Sequence, residues 1–185
     1  MTLIDLNRGI AEATAAGIAK PLDPIGSDPA EVRAAFGRFP SGIAALCAEI
    51  DGVKTGLVAT SFSVGVSYDP PLVLFSVQNS SSTWPVLRET GRLGVSILGS
   101  EHAGICMQLA SRKGDRFANI ETSSADGGAV FIHGSPLWMD CEIVSETPAG
   151  DHKIVLLEVK GLRVEDQAEP LIYHSAAFRN LAAAS

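Results

Sequence analysis

The sequence predicts a mainly β protein, built as an antiparallel barrel with a few short helices at its ends. Several short apolar runs are typical of strands, and turn residues such as Asp51-Gly52 stand between neighbouring runs. The chain also lacks the regular strand–helix–strand alternation that a parallel sheet requires. Together these observations favour neighbouring strands that run in opposite directions.

The length and composition favour one globular domain. The chain has 185 residues, of which 46% are hydrophobic and 19% charged, and such a chain can bury a full-sized core. Residues 1–27 are rich in Ala and Gly and end in two Pro-containing breaks, so we expect a loosely ordered N-terminal arm. We expect the domain to span residues 28–181 and a short tail to span 182–185.

The first predicted element is a helix in SDPAEVRAAFGRF (27–39). Asp28 can cap its N-terminus, Pro29 suits the first helical position, and Glu31 lies where the helix dipole favours an acid. Gly37 and Pro40 end it. Helical spacing predicts an apolar stripe made of Val32, Ala35, Phe36 and Phe39.

Strands dominate the next segment. SGIAALCAEIDG (41–52) and VKTGLVATSF (53–62) form a predicted hairpin through Asp51-Gly52. PPLVLFSVQ (70–78) is an almost continuous apolar run, which suits a strand buried on both faces. A short helix in SSSTWPVLRETG (80–91), a strand in RLGVSILG (92–99) and a helix in SEHAGICMQLASRKG (100–114) follow.

The second half of the chain contains a clear hairpin after IETSSADGGA (120–129), which is expected to be a polar loop. In SPLWMDCEIVSE (135–146) and DHKIVLLEVKGLRV (151–164), apolar residues alternate with other residues, as in strands with one buried face. The predicted turn is Pro148-Ala149-Gly150-Asp151. PLIYHSAAFRNL (170–181) is expected to end the fold.

Charge and motif content exclude several classes of protein. The net charge of −7 and pI near 5.0 argue against nucleic-acid binding, and no apolar stretch is long enough for a membrane span. The N-terminus does not resemble a signal peptide, so we expect a cytoplasmic protein. The three cysteines fit reduced, buried thiols, and the histidines never pair at metal-ligand spacing, so we expect no metal.

The stretch ATSFSVGVS (59–67) is unusually rich in hydroxyl groups for a strand. Thr60, Ser61, Ser63 and Ser67 offer hydrogen-bond donors and acceptors, and Gly65 permits a close backbone approach. Small side chains would leave room for a flat ligand along the strand. The alternative is a strand whose Ser and Thr side chains point to water.

Two further stretches carry polar groups that could meet a ligand. QNSSSTWP (78–85) places hydroxyls before a helix, where free N–H groups bind anions, and SRKGDRF (111–117) could bring Arg112 or Lys113 to the same phosphate. The alternatives are simple helix capping and a solvated helix end. Gly150-Asp151-His152 could let an imidazole swing over a ligand; the alternative is an exposed turn histidine.

From residue 28 to residue 181 the chain resembles the flavin reductases that serve two-component flavin-dependent monooxygenases. Seven landmarks occur in the order of that family: FGRFPSGIAAL, GLVATSFSVGVSYDPPLVLFSV, NSSSTWPVLRETGRLGVSIL, ASRKGDRF, GSPLWMDCEI, GDHKIVLLEV and PLIYHSAAFRNL. The resemblance implies an antiparallel, Greek-key-like split β-barrel that binds FMN or FAD and forms a homodimer.

The resemblance also implies site residues. His152 would position the nicotinamide, with no protein nucleophile. The remaining implied contacts are to flavin: its ring would meet Thr60, Ser61, Phe62, Ser63 and Ser67, its ribityl and phosphate groups would meet Asn79, Ser80, Ser81, Ser82 and Thr83, and Arg112, Lys113 and Phe117 would close over it.

The implied activity is hydride transfer from NADH or NADPH to FMN or FAD, with the reduced flavin supplied to a separate oxygenase. Two alternatives stay open at this point. One is a flavoprotein that keeps its flavin tightly bound and passes electrons to another acceptor. The other is a flavin- or haem-binding split-barrel module without reductase activity.

Overall fold

The computed structural model describes Leu22 and residues 24–181. Most of the expected N-terminal arm and the whole expected tail lie outside the described residues. The chain divides into two compact units, Met1–Ala35 and Phe36–Ser185. Nearly all of the described elements belong to the second unit.

The first helix, α1 (Pro29–Phe36), begins where the sequence predicts. The Asp28 carboxylate accepts a hydrogen bond from the backbone N–H of Ala30 at 2.8 Å, as a capping residue should. None of the residues of α1 is buried, however, and Phe36 and Phe39 are 73% and 76% exposed. Of the four residues of the predicted stripe, Val32 is half-buried and the other three are exposed.

The second unit is built mainly from strands. Its helices are α2 (Trp84–Leu87), a 3₁₀ turn (Ser100–His102) and α3 (Ala103–Ala110). Among the described residues the strands are β1 (Ser41–Gly42), β2 (Ala44–Ile50), β3 (Val53–Ala59), β4 (Ser63–Tyr68), β5 (Pro71–Gln78), β6 (Leu93–Ile97), β7 (Thr122–Ser124), β8 (Val130–Ile132), β9 (Leu137–Ala149), β10 (His152–Val164), β11 (Ile172–His174) and β12 (Ala177–Arg179).

The strands form one large antiparallel sheet and two small ones. The large sheet has the order β3-β2-β6-β9-β10-β5-β4, and the small sheets are β1-β11-β12 and β7-β8. The mainly β, antiparallel class is thus confirmed. Hydrogen bonds do not close the barrel, because β3 and β4 are the two edges of the large sheet. The prediction of a polar loop over residues 120–129 was partly wrong, because this segment contains β7.

The β9–β10 hairpin supplies much of the core. Met139 and Cys141 on β9, and Val155 and Leu157 on β10, are buried at alternate positions, as the sequence predicts. The prediction for β5 was wrong. Its residues alternate between buried and half-buried or exposed, with Val73, Phe75 and Val77 inward, because only one face of the strand meets the core cluster.

The turn between β11 and β12 holds two non-glycine residues in the left-handed region, Ser175 at φ 51° and Ala176 at φ 59°. The N–H of Ser175 donates to the carbonyl of Gly37 at 2.7 Å, which fastens this turn to the segment after α1. Two-residue turns of this kind favour Asn and Gly because a Cβ is strained at positive φ.

We therefore expect Ala176→Gly to stabilise the protein by about 0.5–1 kcal/mol, since it removes the strain of a Cβ at positive φ. The free energy of unfolding should be measured by urea denaturation. Ala177→Gly is the matched control, because Ala177 lies in β12, where glycine should destabilise. A lower midpoint for Ala176→Gly than for the wild type would contradict the strain argument.

His102 is a buried neutral imidazole that joins two loops. Its Nδ1 accepts a hydrogen bond from the N–H of Gly99 at 3.0 Å, and its side chain is only 7% exposed. Burial lowers its pKa below the ordinary value of 6.5, against smaller opposing effects of its hydrogen bond to the backbone of His133 and of Glu101. The unfolded chain consequently binds this proton more readily than the folded chain.

We expect the stability that depends on neutral His102 to be complete above about pH 6.5 and to be lost as the pH falls through the lowered pKa. His102→Gln should be less stable than the wild type at pH 7.5. Its loss of stability between pH 7.5 and 5.5, measured by urea denaturation, should be smaller. Equal losses in the two proteins would show that His102 does not cause the pH dependence.

Candidate functional site

Two cavities lie along β3 and the residues that follow it. The first, named here the His152 cavity, has a volume of about 310 Å³ and is lined by Leu57, Val58, Ala59, Thr60, Ser61, Ser76, Val77, Gln78, Ser81 and His152. The second, named the Arg116 cavity, has a volume of about 390 Å³ and is lined by Val53, Lys54, Thr55, Gly56, Ser82, Thr83, Val86, Gly114, Asp115 and Arg116. Successive residues of one strand therefore form the walls of both cavities.

Thr60 and Ser61 follow β3 and line the His152 cavity, as predicted. The Ser61 hydroxyl donates to the carbonyl of Ser76 at 3.0 Å and accepts from its N–H at 3.1 Å. The Ser61 side chain therefore satisfies both backbone groups of Ser76 in β5, a task that the backbone of a neighbouring strand would otherwise perform. Its hydroxyl fastens the cavity wall, while Thr60 is exposed and makes no side-chain hydrogen bond within the described chain.

The structure does not bring Phe62, Ser63 or Ser67 to either cavity. Phe62 packs against the core cluster that contains Phe75, and the two serines lie on β4, opposite Leu74 and Leu72 of β5. The pairing is irregular between Ser63 and Ser67, where Gly65 has a φ of 73°. Gly65 thus provides the positive φ that the irregular pairing of this edge strand requires.

The loop of residues 79–83 is divided between the two cavities. Ser81 lines the His152 cavity, whereas Ser82 and Thr83 line the Arg116 cavity. The Ser81 hydroxyl accepts from the N–H of Trp84 at 3.1 Å, which satisfies a free N–H group in the first turn of α2, whose N-cap residue is Thr83. Because α2 has only four residues, few peptide dipoles add up there, and a helix dipole is a weak source of anion binding.

Asn79 and Ser80 line neither cavity. Ser80 donates to the side-chain oxygen of Gln78 at 3.3 Å. Asn79 bonds the opposite turn of the β9–β10 hairpin, with its N–H donating to the Asp151 carbonyl at 2.9 Å and its Nδ2 donating to the Gly150 carbonyl at 3.2 Å. Asn79, which the sequence predicts to be a ligand contact, therefore holds the hairpin turn in place.

The cation that reaches the site is Arg116, which sequence reasoning did not select. Its Nη1 donates to the Gly56 carbonyl at 3.1 Å and to the Thr83 hydroxyl at 2.9 Å, and it lines the cavity named after it. Arg112 and Lys113 are exposed and line neither cavity. All three cations fall within SRKGDRF, and sequence order alone does not reveal which of them faces inward.

Phe117 packs inward rather than lying open over a cavity. It belongs to the partly buried residues around the second core cluster, and its ring lies so near Gly56 that a Cβ there would be 3.0 Å from Cζ. Lys54, also missed by sequence reasoning, lines the Arg116 cavity and donates to the Thr122 hydroxyl at 2.8 Å. The Arg116 cavity thus carries two cations and the hydroxyl groups of Thr55, Ser82 and Thr83.

His152 lies at the start of β10, opposite Gln78 at the end of β5. Its side chain is 34% exposed, and its Nδ1 is 2.7 Å from the Asp151 carboxylate. That contact orients the ring and leaves Nε2 for another partner. The alternative of a fully exposed turn histidine does not describe this residue, because the His152 ring lies in the wall of the cavity.

A third cavity of about 350 Å³ lies apart from these residues and is lined by Ser123, His133, Gly134, Ser135, Trp138, Arg163 and Glu165. None of the residues predicted from the sequence lines it. Most of its polar groups are paired within the described chain: the Ser123 hydroxyl is 2.7 Å from His133 Nε2, and Arg163 lies 5.2 Å from the Trp138 ring. The Ser135 hydroxyl has no partner there. We therefore assign the site to the cavities along β3.

The arrangement along β3 fits a ligand with a flat polar ring and an anionic tail. The His152 cavity offers an imidazole, small hydroxylic side chains and strand backbone, while the other cavity offers Arg116 and Lys54 beside hydroxyl groups. The thiols of Cys47 and Cys141 line neither cavity, and burial raises the pKa of each to about 12, so they are poor nucleophiles. The donor set thus fits a flavin with a phosphate-bearing chain.

Neither a membrane-spanning helix nor a metal-binding cluster of side chains occurs among the described residues. No helix within them is long and apolar enough to cross a membrane. No group of three or more His, Cys, Asp or Glu side chains in the described chain is arranged to hold a metal ion.

Comparison with known proteins gives consistent relatives. A flavin reductase of Pseudomonas putida is 35% identical over 157 residues, which cover 84% of this chain and 92% of the relative. The flavin-dependent monooxygenase reductase subunit HsaB of Rhodococcus jostii is 29% identical over 154 residues, which cover 83% of this chain and 78% of that relative. The solved NADH:FAD oxidoreductase SgcE6 of Streptomyces globisporus, in complex with NAD and FAD fragments, has a TM-score of 0.81 at 28% identity, covering 89% of this chain and 98% of that chain.

The profile of the family described as the flavin reductase like domain matches residues 36–182. That range contains β1 to β12 and both cavities along β3. The resemblance drawn from the sequence landmarks is thereby confirmed. Sequence and fold agree, and the chain belongs to the flavin reductase like domain family.

Proposed function

We propose that this protein is an NAD(P)H-dependent flavin reductase whose flavin occupies the two cavities along β3. The observation that carries the proposal is the joint position of Thr60, Ser61 and His152 in one cavity, with Arg116 in the next cavity along the same strand. The family and the named activities of the relatives support it. A nicotinamide and a flavin would meet at the His152 end.

Each end of the site has a distinct binding task in this proposal. The Arg116 guanidinium, with the Ser82 and Thr83 hydroxyls, would hold flavin phosphate by charge-assisted hydrogen bonds. Backbone groups at Thr60 and Ser61 would meet the polar edge of the ring, and Ser81 lies beside the path between the two ends. The lining of the Arg116 cavity holds two cations, Lys54 and Arg116, against one carboxylate, Asp115, so this acidic protein has a local excess of positive charge where the anionic part of its ligand would lie.

A bound flavin supplies the hydride acceptor, and the reduced nicotinamide supplies the hydride. The chain contributes binding and orientation. Asp151 holds the imidazole of His152 through Nδ1, which leaves Nε2 to hydrogen-bond the incoming nicotinamide carboxamide. Donor groups fixed near the ring edge would stabilise negative charge as the flavin is reduced.

We further propose NADH as the donor and a separate oxygenase as the recipient of the reduced flavin, at a cytoplasmic location. The choice of NADH rests on the similar NADH:FAD oxidoreductase, and the separate oxygenase rests on the similar monooxygenase reductase subunit. The location rests on the need for reduced nicotinamide and on three free thiols.

A homodimer is also part of the proposal. The edge strand β4 presents Val64, Val66 and Tyr68 to solvent, with exposed fractions of 59%, 43% and 88%. Exposed apolar edges of this kind are usually covered in the working assembly. Size-exclusion chromatography with light scattering tests this part directly, and a monomer at micromolar concentration would contradict it.

The activity and its alternatives are separated by one assay. Purified protein is mixed with NADH or NADPH, with and without added FMN or FAD, and absorbance at 340 nm is followed. Oxidation that depends on added flavin supports the proposal. A yellow protein that stays yellow after desalting indicates a prosthetic flavin, and bound flavin without NADH oxidation indicates a binding module.

Arg116→Ala should weaken flavin binding about tenfold or more, because one charge-assisted hydrogen bond contributes about 1.5–3 kcal/mol. The dissociation constant is measured by quenching of flavin fluorescence. Arg112→Ala is the matched control and should bind flavin as the wild type does, since Arg112 lines neither cavity. Arg116→Lys should recover part of the loss, and equal affinity in Arg116→Ala and Arg112→Ala would refute this assignment.

His152→Ala should raise the KM for NADH by about five- to tenfold, which corresponds to the loss of one hydrogen bond of about 1–1.5 kcal/mol. Its flavin dissociation constant should stay within about twofold of the wild-type value. Steady-state NADH oxidation measures the KM, stopped-flow reduction of bound flavin at several NADH concentrations locates the effect in the reduction step, and quenching of flavin fluorescence measures the flavin dissociation constant. His174→Ala is the control, because His174 lines neither cavity, and unchanged kinetics in His152→Ala would remove this role.

A further inference from the structure

The turn that carries His152 has little packing of its own. β9 ends at Ala149 and β10 begins at His152, so Gly150 and Asp151 form the whole turn. Gly150 has a φ of 65°, and no heavy atom lies within 4 Å of the position where its Cβ would be. A turn with so few contacts is held in place mainly by its hydrogen bonds.

Asn79 supplies two hydrogen bonds to this turn. Its backbone N–H donates to the carbonyl of Asp151 at 2.9 Å, and its side-chain Nδ2 donates to the carbonyl of Gly150 at 3.2 Å. The Asp151 carboxylate in turn contacts Nδ1 of His152 at 2.7 Å. A continuous series of polar contacts therefore runs from the Asn79 carboxamide through the turn to the imidazole.

A second connection holds the strands of the hairpin but does not reach the turn. Trp84 Nε1 donates to the Glu146 carboxylate at 3.2 Å, and Lys153 Nζ contacts the same carboxylate at 3.0 Å. These groups tie the segment after Ser81 to β9 and to the residue after His152. The hairpin would therefore stay in place without the Asn79 side chain, whereas the turn would lose one of its two bonds to Asn79.

We propose that Asn79 is a positioning residue for His152: its carboxamide clamps the Gly150–Asp151 turn and so sets the direction of the imidazole in the His152 cavity. Asn79 lines neither cavity, so it acts on the nicotinamide end of the reaction without binding flavin itself. This inference rests on the proposed function, because it assigns the same role to His152. It replaces the expectation that Asn79 holds the ribityl or phosphate groups.

The variant Asn79→Asp tests the proposal with the least change in shape. It keeps the backbone N–H bond to Asp151 and replaces the donor to Gly150 with a carboxylate oxygen, which cannot donate and adds a negative charge; the uncharged variant Asn79→Ala separates loss of the bond from that charge. Loss of one hydrogen bond of about 1 kcal/mol predicts a KM for NADH that rises about fivefold. The flavin dissociation constant should stay within about twofold of the wild-type value. Asn79→Ala should behave in the same way, and Asn180→Ala, outside both cavities, should match the wild type.

Two readouts separate positioning from a general structural role. In the flavin-free protein, amide hydrogen exchange at Asp151 and His152 should be faster in Asn79→Asp than in the wild type, while exchange in β5 is unchanged. In the double variant Asn79→Ala/His152→Ala, the KM for NADH should equal that of His152→Ala alone, because Asn79 acts through His152.

The opposite results would overturn the inference. A raised flavin dissociation constant with an unchanged KM for NADH would make Asn79 a flavin ligand. Additive effects in the double variant, or unchanged exchange in the turn, would show that the clamp does not act through His152. If the wild-type protein fails to oxidise NADH with added flavin, the proposed function fails, while the exchange experiment still decides whether the clamp exists.

Discussion

The register between β10 and β5 is the constraint on which the site depends. The pairing runs from His152 opposite Gln78 to Glu158 opposite Leu72. It brings the start of β10 to the end of β5, where the loop of residues 79–83 begins. A slip of one residue would turn Val155 and Leu157 out of the core and carry His152 away from the cavity. The buried side chains of β10 therefore also fix the functional histidine.

The hydroxyl groups around the site serve largely to hold backbone in place. Ser61 pairs with the backbone of Ser76, Ser81 accepts from the N–H of Trp84, and Thr83 accepts from Arg116. A segment that leaves a strand has unpaired backbone groups, and short polar side chains can satisfy them without filling the space above. The same residues that keep the cavities open thus keep their walls rigid, which suits a flat ligand.

Landmarks in the chain were sufficient to predict the family, the antiparallel class and several cavity residues, including Thr60, Ser61, Ser81 and His152. The landmarks were insufficient to predict burial, because the burial of a side chain depends on which part of the folded chain it faces. The spacing of Phe36 and Phe39 predicts a helical face, but both are exposed. The apolar run of β5 suggests burial on both faces, yet the strand alternates, because only one of its faces meets the core.

The sequence by itself determined the strand and turn pattern, since alternation and turn residues act over a few neighbouring positions. It also determined the chemistry that is available, namely hydroxyls, three cations in SRKGDRF and a turn histidine. Only the tertiary structure decided that Arg116 is the cation of SRKGDRF that lines the site and that Asn79 fastens the His152 turn. The contact of Arg116 with Thr83 joins residues that are 33 positions apart in the chain, and that of Asn79 with Gly150 joins residues 71 positions apart. Folding brings such distant segments together, and no local sequence pattern encodes the contact.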